Sequence, residues 1–179
     1  MHGPAEVQDW LQSIAKAMAK AQSPIIWTVP SGFRVCQDYR KPQFKRLSAG
    51  KFSVRFYLPV DGERPTDKRK QEIGIIANFV HSMDGAHLVQ VVNRLSAADI
   101  NAVGVVHDSF GVHACHVDTM NRAIREEFVR MYSEPVLDKF LQEQVERTGL
   151  SLPSFNAYGN LAIEECASGS YMVAHDLQS

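Results

Sequence analysis

One stretch of this chain has the layout of a held carboxylate: Val103-Gly104-Val105-Val106-His107-Asp108-Ser109-Phe110-Gly111-Val112. An apolar run ends in Asp108 and a second apolar run follows at once. The pattern predicts strand, tight turn and strand, with Asp108 exposed at the turn. A carboxylate held there can cap the turn or bind a divalent metal. Taken alone, the cap is the ordinary use, because Asp is a common turn residue. A second chemical feature lies upstream. Between residues 31 and 70 there are eleven basic side chains against Asp38, Asp61, Glu63 and Asp67, a net +7 in a chain whose total is −1. Phe44, Phe52, Phe56 and Tyr57 are interleaved with them. Basic residues alternating with aromatics suit contact with a polyanion; a solvated charged surface is the plainer alternative.

Other arrangements carry no chemistry of their own. His113-Ala114-Cys115-His116 offers soft donors at close spacing. On a strand only His113 and Cys115 share a face, and no second ligand pair has zinc-site spacing. Cys115 and His116, as strand neighbours, point to opposite faces, which disfavours a thiol nucleophile. There is no Gly-rich phosphate loop and no Gly-x-Ser-x-Gly elbow.

The elements that must position these groups follow from the apolar pattern. A chain of 179 residues, 45% hydrophobic and 22% charged, has the composition of a soluble globular protein with a real core. No apolar run reaches membrane-spanning length, and the N-terminus lacks a signal-peptide pattern. Three scattered cysteines, Cys36, Cys115 and Cys166, suggest reduced thiols in a cytoplasmic protein. Residues 5–21 place Val7, Trp10, Leu11, Ile14, Ala15 and Met18 on one helical face, from Pro4 to Ser23-Pro24. Residues 25–36 read as β structure turning at Pro30-Ser31-Gly32. Strands at 43–48 and 52–58 flank Ala49-Gly50 as a basic hairpin. Pro59 to Thr66 reads as a polar loop. A helix begins near Pro65-Thr66-Asp67 and runs toward Val80. The pattern breaks at Ser82-Met83-Asp84-Gly85, where another helix starts and carries Leu88, Val91, Val92 and Leu95 inward. Asp118 reads as the N-cap of a helix through Ile124, Phe128 and Met131. Pro135 opens a last helix through Phe140, Leu141 and Val145, and the chain after Gly149 is mostly irregular.

Three blocks in series carry a resemblance. They are Trp27 to Pro42 (WTVPSGFRVCQDYRKP), Ala77 to Leu88 (ANFVHSMDGAHL) and Val106 to Gly111 (VHDSFG). Their order and spacing resemble the C-terminal portion of the single-subunit RNA polymerases of bacteriophages, to which mitochondrial RNA polymerase is similar. The resemblance spans about residues 5–174. It implies an α+β fold: a palm-type β-hairpin at 103–115 flanked by helices, plus a projecting basic β-hairpin at 43–58, together part of a right-hand polymerase. Residues 1–179 would be the fingers/palm portion, with a tail at 166–179. The resemblance makes Asp108 the second catalytic carboxylate, a ligand of Mg²⁺ in a two-metal nucleotidyl transfer. His107 and His81 would support the active site, His81 beside the minor groove of the nucleic acid. The basic hairpin matches the promoter-specificity loop. There Arg46, Ser48, Arg55 and Tyr57 would read bases, and Lys45 and Lys51 would hold phosphate. Arg55 and Tyr57 match only with a one-residue gap. Implied partners are double-stranded promoter DNA, nucleoside triphosphates and the RNA product. The implied compartment is the cytoplasm of a phage-infected or lysogenic host.

The pattern also departs from the family. The first catalytic Asp, the Lys and Tyr that bind the incoming nucleotide, the promoter-melting domain and the thumb all precede this region. One metal carboxylate alone predicts no activity without a chain supplying those segments. The aromatic foot of the family corresponds to Tyr171-Met172-Val173-Ala174, extended here by His175 to Ser179. Two other readings remain. A DNA polymerase of the same superfamily usually carries His-Asp-Glu at the palm turn, which Ser109 does not match. A catalytically silent DNA-binding fragment, or prophage remnant, would use the basic hairpin alone.

Overall fold

The first apolar stripe forms α1, Pro4–Lys20, and its buried face is Trp10, Leu11, Ile14, Ala15 and Met18. The computed structural model describes residues 4–57, 64–106 and 109–155. After α1 come β1 (Ile25–Thr28) and β2 (Arg34–Gln37), paired antiparallel as the sequence predicts. The outer edge of β1 is closed by side chains rather than by a third strand. Gln144 accepts from the Ile26 N–H at 3.2 Å and donates to its carbonyl at 2.5 Å, while Glu143 accepts from the Thr28 N–H at 2.8 Å. A buried edge must find partners of this kind, and Gln144 is fully buried in providing them.

β3 (Phe44–Ala49) and β4 (Phe52–Tyr57) form the second antiparallel hairpin. Its tip is one residue beyond the expected Ala49-Gly50. Ala49 pairs with Phe52, leaving Gly50-Lys51 as a two-residue loop with Gly50 at φ +58°. A two-residue hairpin loop demands that left-handed backbone, and glycine adopts it without strain. Below the hairpin the chain is clamped by Arg40, which bridges to Thr66 and donates to Asp38, to the Arg64 carbonyl and to the Gln22 carbonyl.

α2 is one continuous helix, Lys68–Ala97, capped by the Asp67 carboxylate on the Lys70 N–H. The predicted break at Ser82–Gly85 does not occur. A helix-interior glycine costs only about 1 kcal/mol. Here burial of Met83 and Ala86 on the same face outweighs that cost. The inward set expected beyond it is half right: Val91 and Leu95 are buried, Leu88 and Val92 partly so. Two cores meet along this helix. Ile75, Phe79, Met83 and Ala86 pack with α1, β1 and Trp27, whereas Val91 and Leu95 pack with Ile100 and Ala123 in a second cluster.

β5 (Gly104–Val106) and β6 (Ser109–Gly111) are antiparallel, with Val105 opposite Phe110 and Val106 opposite Ser109. This hairpin is shorter than 103–115. Residues Ala114–His116 form a 3₁₀ turn, not strand, so the face argument for His113 and Cys115 does not apply. α3, Val117–Tyr132, starts from His116 as N-cap. Asp118 lies inside its first turn, where a carboxylate favours the helix dipole instead of capping it. α4, Val136–Thr148, begins at Pro135 as expected. Trp10, Trp27, Phe79, Phe140 and Phe155 pack ring against ring in the first core, Phe140 edge to face with Trp10, Trp27 and Phe79. His107, Asp108, the tail at 166–179 and most of the loop after Leu58 lie outside the described residues.

Tyr39, two residues beyond β2, packs against α2. A Cβ added at Gly74 would sit 2.8 Å from Cε2 of Tyr39, whose ring lies across the helix. Asn78 donates to the Tyr39 hydroxyl at 3.1 Å, and the Tyr39 carbonyl accepts from the Asp67 N–H, so the ring has little room to retreat. Gly74→Ala should therefore cost about 1 kcal/mol net, overpacking exceeding the gain in helix propensity. In the Tyr39→Ala background the same change should stabilise. Urea unfolding of the single and double variants checks both signs.

Candidate functional site

Two of the three motif blocks meet in a cleft of about 720 Å³ between the β1–β2 turn and the middle of α2. One wall is Val29, Ser31, Gly32, Phe33 and Val35, and the other is His81, Ser82, Gly85, Ala86 and Val89. Ser82 fixes the wall: its hydroxyl donates to the Phe79 carbonyl at 2.7 Å and accepts from the indole N–H of Trp27 at 3.0 Å. Gln37 and Gln71, both buried, join the blocks further along. Gln37 donates to the Gln71 side-chain oxygen at 2.6 Å, and Asn78 donates to Gln37 Oε1 at 2.8 Å. His81 is exposed at the cleft, within the unbroken middle of α2.

The third block sits on the far half of the same helix. Val105 and Phe110 are half-buried, Phe110 against the second core, and Val106 and Ser109 are exposed, the alternation a half-buried hairpin requires. His87 braces it from behind. Its Nε2 lies 2.9 Å from the Ile124 carbonyl of α3, and its ring packs edge-on to Phe110 and Phe128. Sequence reasoning assigned His87 no role; its place in the inward stretch next to Ala86 was the available signal. α3 and the C-terminal half of α2, well beyond His81, supply the apolar cluster on which Phe110 packs.

The basic hairpin is two-faced. In this register Phe44 faces Tyr57, Arg46 faces Arg55 and Ser48 faces Ser53, and these six share one face. Arg55 lies over the Phe44 ring at 4.5 Å, and the Ser48 and Ser53 hydroxyls are 3.4 Å apart. No described carboxylate pairs with Arg46 or Arg55. Four of the candidate residues, Arg46, Ser48, Arg55 and Tyr57, are thus brought together. Lys45 is not: it pairs with Phe56 on the opposite face, and Lys51 is in the loop. Arg40, counted in the basic segment, is spent on the clamp beneath.

For a metal, the described residues contain no group of three or more His, Cys, Asp or Glu able to hold one. Cys36 and Cys115 are free and exposed. A Mg²⁺ ion takes one or two carboxylates and completes its shell with water and substrate phosphates.

The model of the DNA-dependent RNA polymerase family matches residues 1–168. The chain belongs to that family. Its relatives are of the single-subunit, phage type. The chain is 34% identical over 170 residues to the mitochondrial DNA-directed RNA polymerase 1 of Arabidopsis thaliana, covering 92% of this chain and 17% of the relative. It is 33% identical over 170 residues to DNA-directed RNA polymerase 2A of Nicotiana tabacum, covering 92% of this chain and 49% of that protein. It is 37% identical over 164 residues to the chloroplastic DNA-directed RNA polymerase 3 of Nicotiana sylvestris, 90% of this chain and 16% of the relative. The chain therefore spans from about a sixth to a half of the length of these relatives. No helix among its described residues is long and apolar enough to cross a membrane.

Proposed function

We propose that this chain is the fingers/palm portion, residues 1–179, of a phage-type polymerase that makes RNA on a DNA template from nucleoside triphosphates. Alone it is inactive. In this reading 103–115 is the palm hairpin, 43–58 the specificity hairpin and 166–179 the tail. Asp108 holds part of a divalent-metal site, and Mg²⁺ bound there supplies charge neutralisation at the attacking 3′-hydroxyl and the leaving pyrophosphate. His107 supports the turn or the primer end. His81, exposed at the mouth of an apolar cleft, donates to the sugar or base edges of nucleic acid passing over α2. Phage-infected or lysogenic cytoplasm is the proposed compartment, in keeping with free thiols.

Support for the DNA-reading role comes from the pairing of Arg46 directly opposite Arg55 on an exposed strand face with no described carboxylate between them. Like charges at that separation repel, and an anion resolves the repulsion. Bidentate contact with guanine edges uses the same fork geometry.

The test separates reading from mere attraction. The chain is mixed with the Arabidopsis mitochondrial relative from which the matched 170 residues have been removed, and promoter binding is measured. Arg46→Ala should weaken one promoter sequence more than others, by about 1–3 kcal/mol. Lys51→Ala should weaken all sequences alike and lower the salt slope by about 1. An Arg46→Ala effect that is blind to sequence removes the specificity role and favours the silent DNA-binding alternative.

A further inference from the structure

Within the β5–β6 hairpin a single cross-strand pair is turned toward the rest of the fold. Gly104 and Gly111 face each other at the open end without side chains, and Val106 and Ser109 are exposed. Val105 and Phe110 between them are half-buried, and of these two only Phe110 packs on the second cluster. Val103 and Val112 hold the chain just outside the hairpin. A two-stranded hairpin has little stability of its own. The placing of the segment between Val106 and Ser109, which carries Asp108, therefore depends on what grips Phe110.

His87 supplies the grip. Its ring centroid is 6.3 Å from that of Phe110 at 77°, and 5.7 Å from that of Phe128 at 81°, both edge to face. Ring contacts alone would let the imidazole turn about its bond to Cβ, but its Nε2 is 2.9 Å from the Ile124 carbonyl. A carbonyl only accepts, so Nε2 carries the hydrogen and donates. Ile124 and Phe128 are one turn apart on α3, so the hydrogen bond and the second ring contact come from the same helix face. The bond fixes the plane of the imidazole and with it the edge offered to Phe110. We propose that His87 is a positioning residue for nucleotidyl transfer, holding the Asp108 hairpin in place through Phe110. The inference rests on reading Asp108 as a metal carboxylate. A small displacement of such a group slows the transfer step and leaves the binding steps alone.

Two measurements test it. In the full chain alone, hydrogen exchange of the amides at 104–106 and 109–111 should quicken at least tenfold in His87→Leu, with the amides of α1 unchanged. In the mixture with the truncated Arabidopsis relative, His87→Leu should lower kcat by at least about tenfold while the KM for nucleoside triphosphates and the promoter affinity hold. His87→Gln, which keeps a donor and loses the ring edge, should show the same two changes. Phe110→Leu should lower kcat likewise, and adding His87→Leu to it should cost nothing further, because the histidine acts through that ring. Ile14→Val, which loosens the first core instead, should leave the hairpin exchange and kcat unchanged. Hairpin exchange unaffected by His87→Leu and His87→Gln overturns the proposal, as does a full kcat in those variants. Losses that multiply in the His87→Leu, Phe110→Leu double variant overturn it too, since they make His87 an ordinary packing residue. If the unsubstituted mixture makes no RNA, the polymerase reading falls, and exchange in the chain alone decides whether His87 holds the hairpin.

Discussion

Asp108→Asn should abolish RNA synthesis in the mixture of this chain with the truncated Arabidopsis relative, by at least about a thousandfold, while promoter binding persists. Asparagine keeps the shape of the side chain and removes its charge. An amide oxygen does not neutralise a divalent ion, so the transfer step should suffer and the binding steps should not. The expected signature is a fall in kcat with little change in the affinity for DNA. The chain without the relative should make no RNA from any template, since one carboxylate is too few for two ions. Glu in place of Asp108 should recover little, because its longer stem moves the carboxylate by more than an ångström-scale site tolerates. Robust synthesis by Asp108→Asn takes Asp108 out of the reaction.

The parts of this fold that were legible in the sequence are those governed by local rules. Pro4, the Pro30-Ser31-Gly32 turn, Gly50 and Pro135 punctuate the chain where the elements change. The apolar stripe of α1 and the run on each side of Asp108 give period and face. What the sequence hid depends on contacts distant along the chain. Nothing near Gly85 announces that Trp27 bonds to Ser82, or that Met83 and Ala86 are buried, and without those contacts a break is the better local reading. The 3₁₀ turn at Ala114–His116 is similarly masked by residues compatible with a strand. Placing the loop at Gly50-Lys51 is what sets Arg46 against Arg55, and a pattern of alternating residues does not choose between adjacent loop positions. Charge is the most misleading signal: Arg40 counts toward a basic surface in the sequence and acts as a structural clamp in the fold. The cleft at His81 was legible only as two separate blocks, because β2 and α2 are joined by Gln37, Tyr39, Gln71 and Asn78, none of which advertises a partner.

Arg94→Ala should destabilise the chain by about 3 kcal/mol, a large share of the stability of an ordinary domain. Arg94 sits in the last turn of α2 and donates to Oε1 of Glu127 on α3 at 3.1 Å. Glu127 is only 2% exposed. Its other oxygen forms an ion pair with Arg130 without the alignment of a hydrogen bond. Removing Arg94 therefore strands a buried carboxylate on a poorly aligned partner from its own helix. The second ion pair of Arg94, to Glu126, is exposed on both sides, so Glu126→Ala should cost less than 1 kcal/mol. Coulomb attraction does not itself decide the matter. Desolvation of Glu127 does, and so Arg94→Leu combined with Glu127→Leu should return most of the lost stability. Urea midpoints at constant slope measure all three. α2 and α3, which the pair joins, also carry Val91, Leu95 and Ala123 of the cluster against which Phe110 of the β5–β6 hairpin packs. The double leucine variant should thus keep the hairpin ordered and Asp108-dependent synthesis intact, whereas Arg94→Ala should lose both at a lower urea concentration. Equal costs for Arg94→Ala and Glu126→Ala would mean that the buried carboxylate is not what the arginine serves.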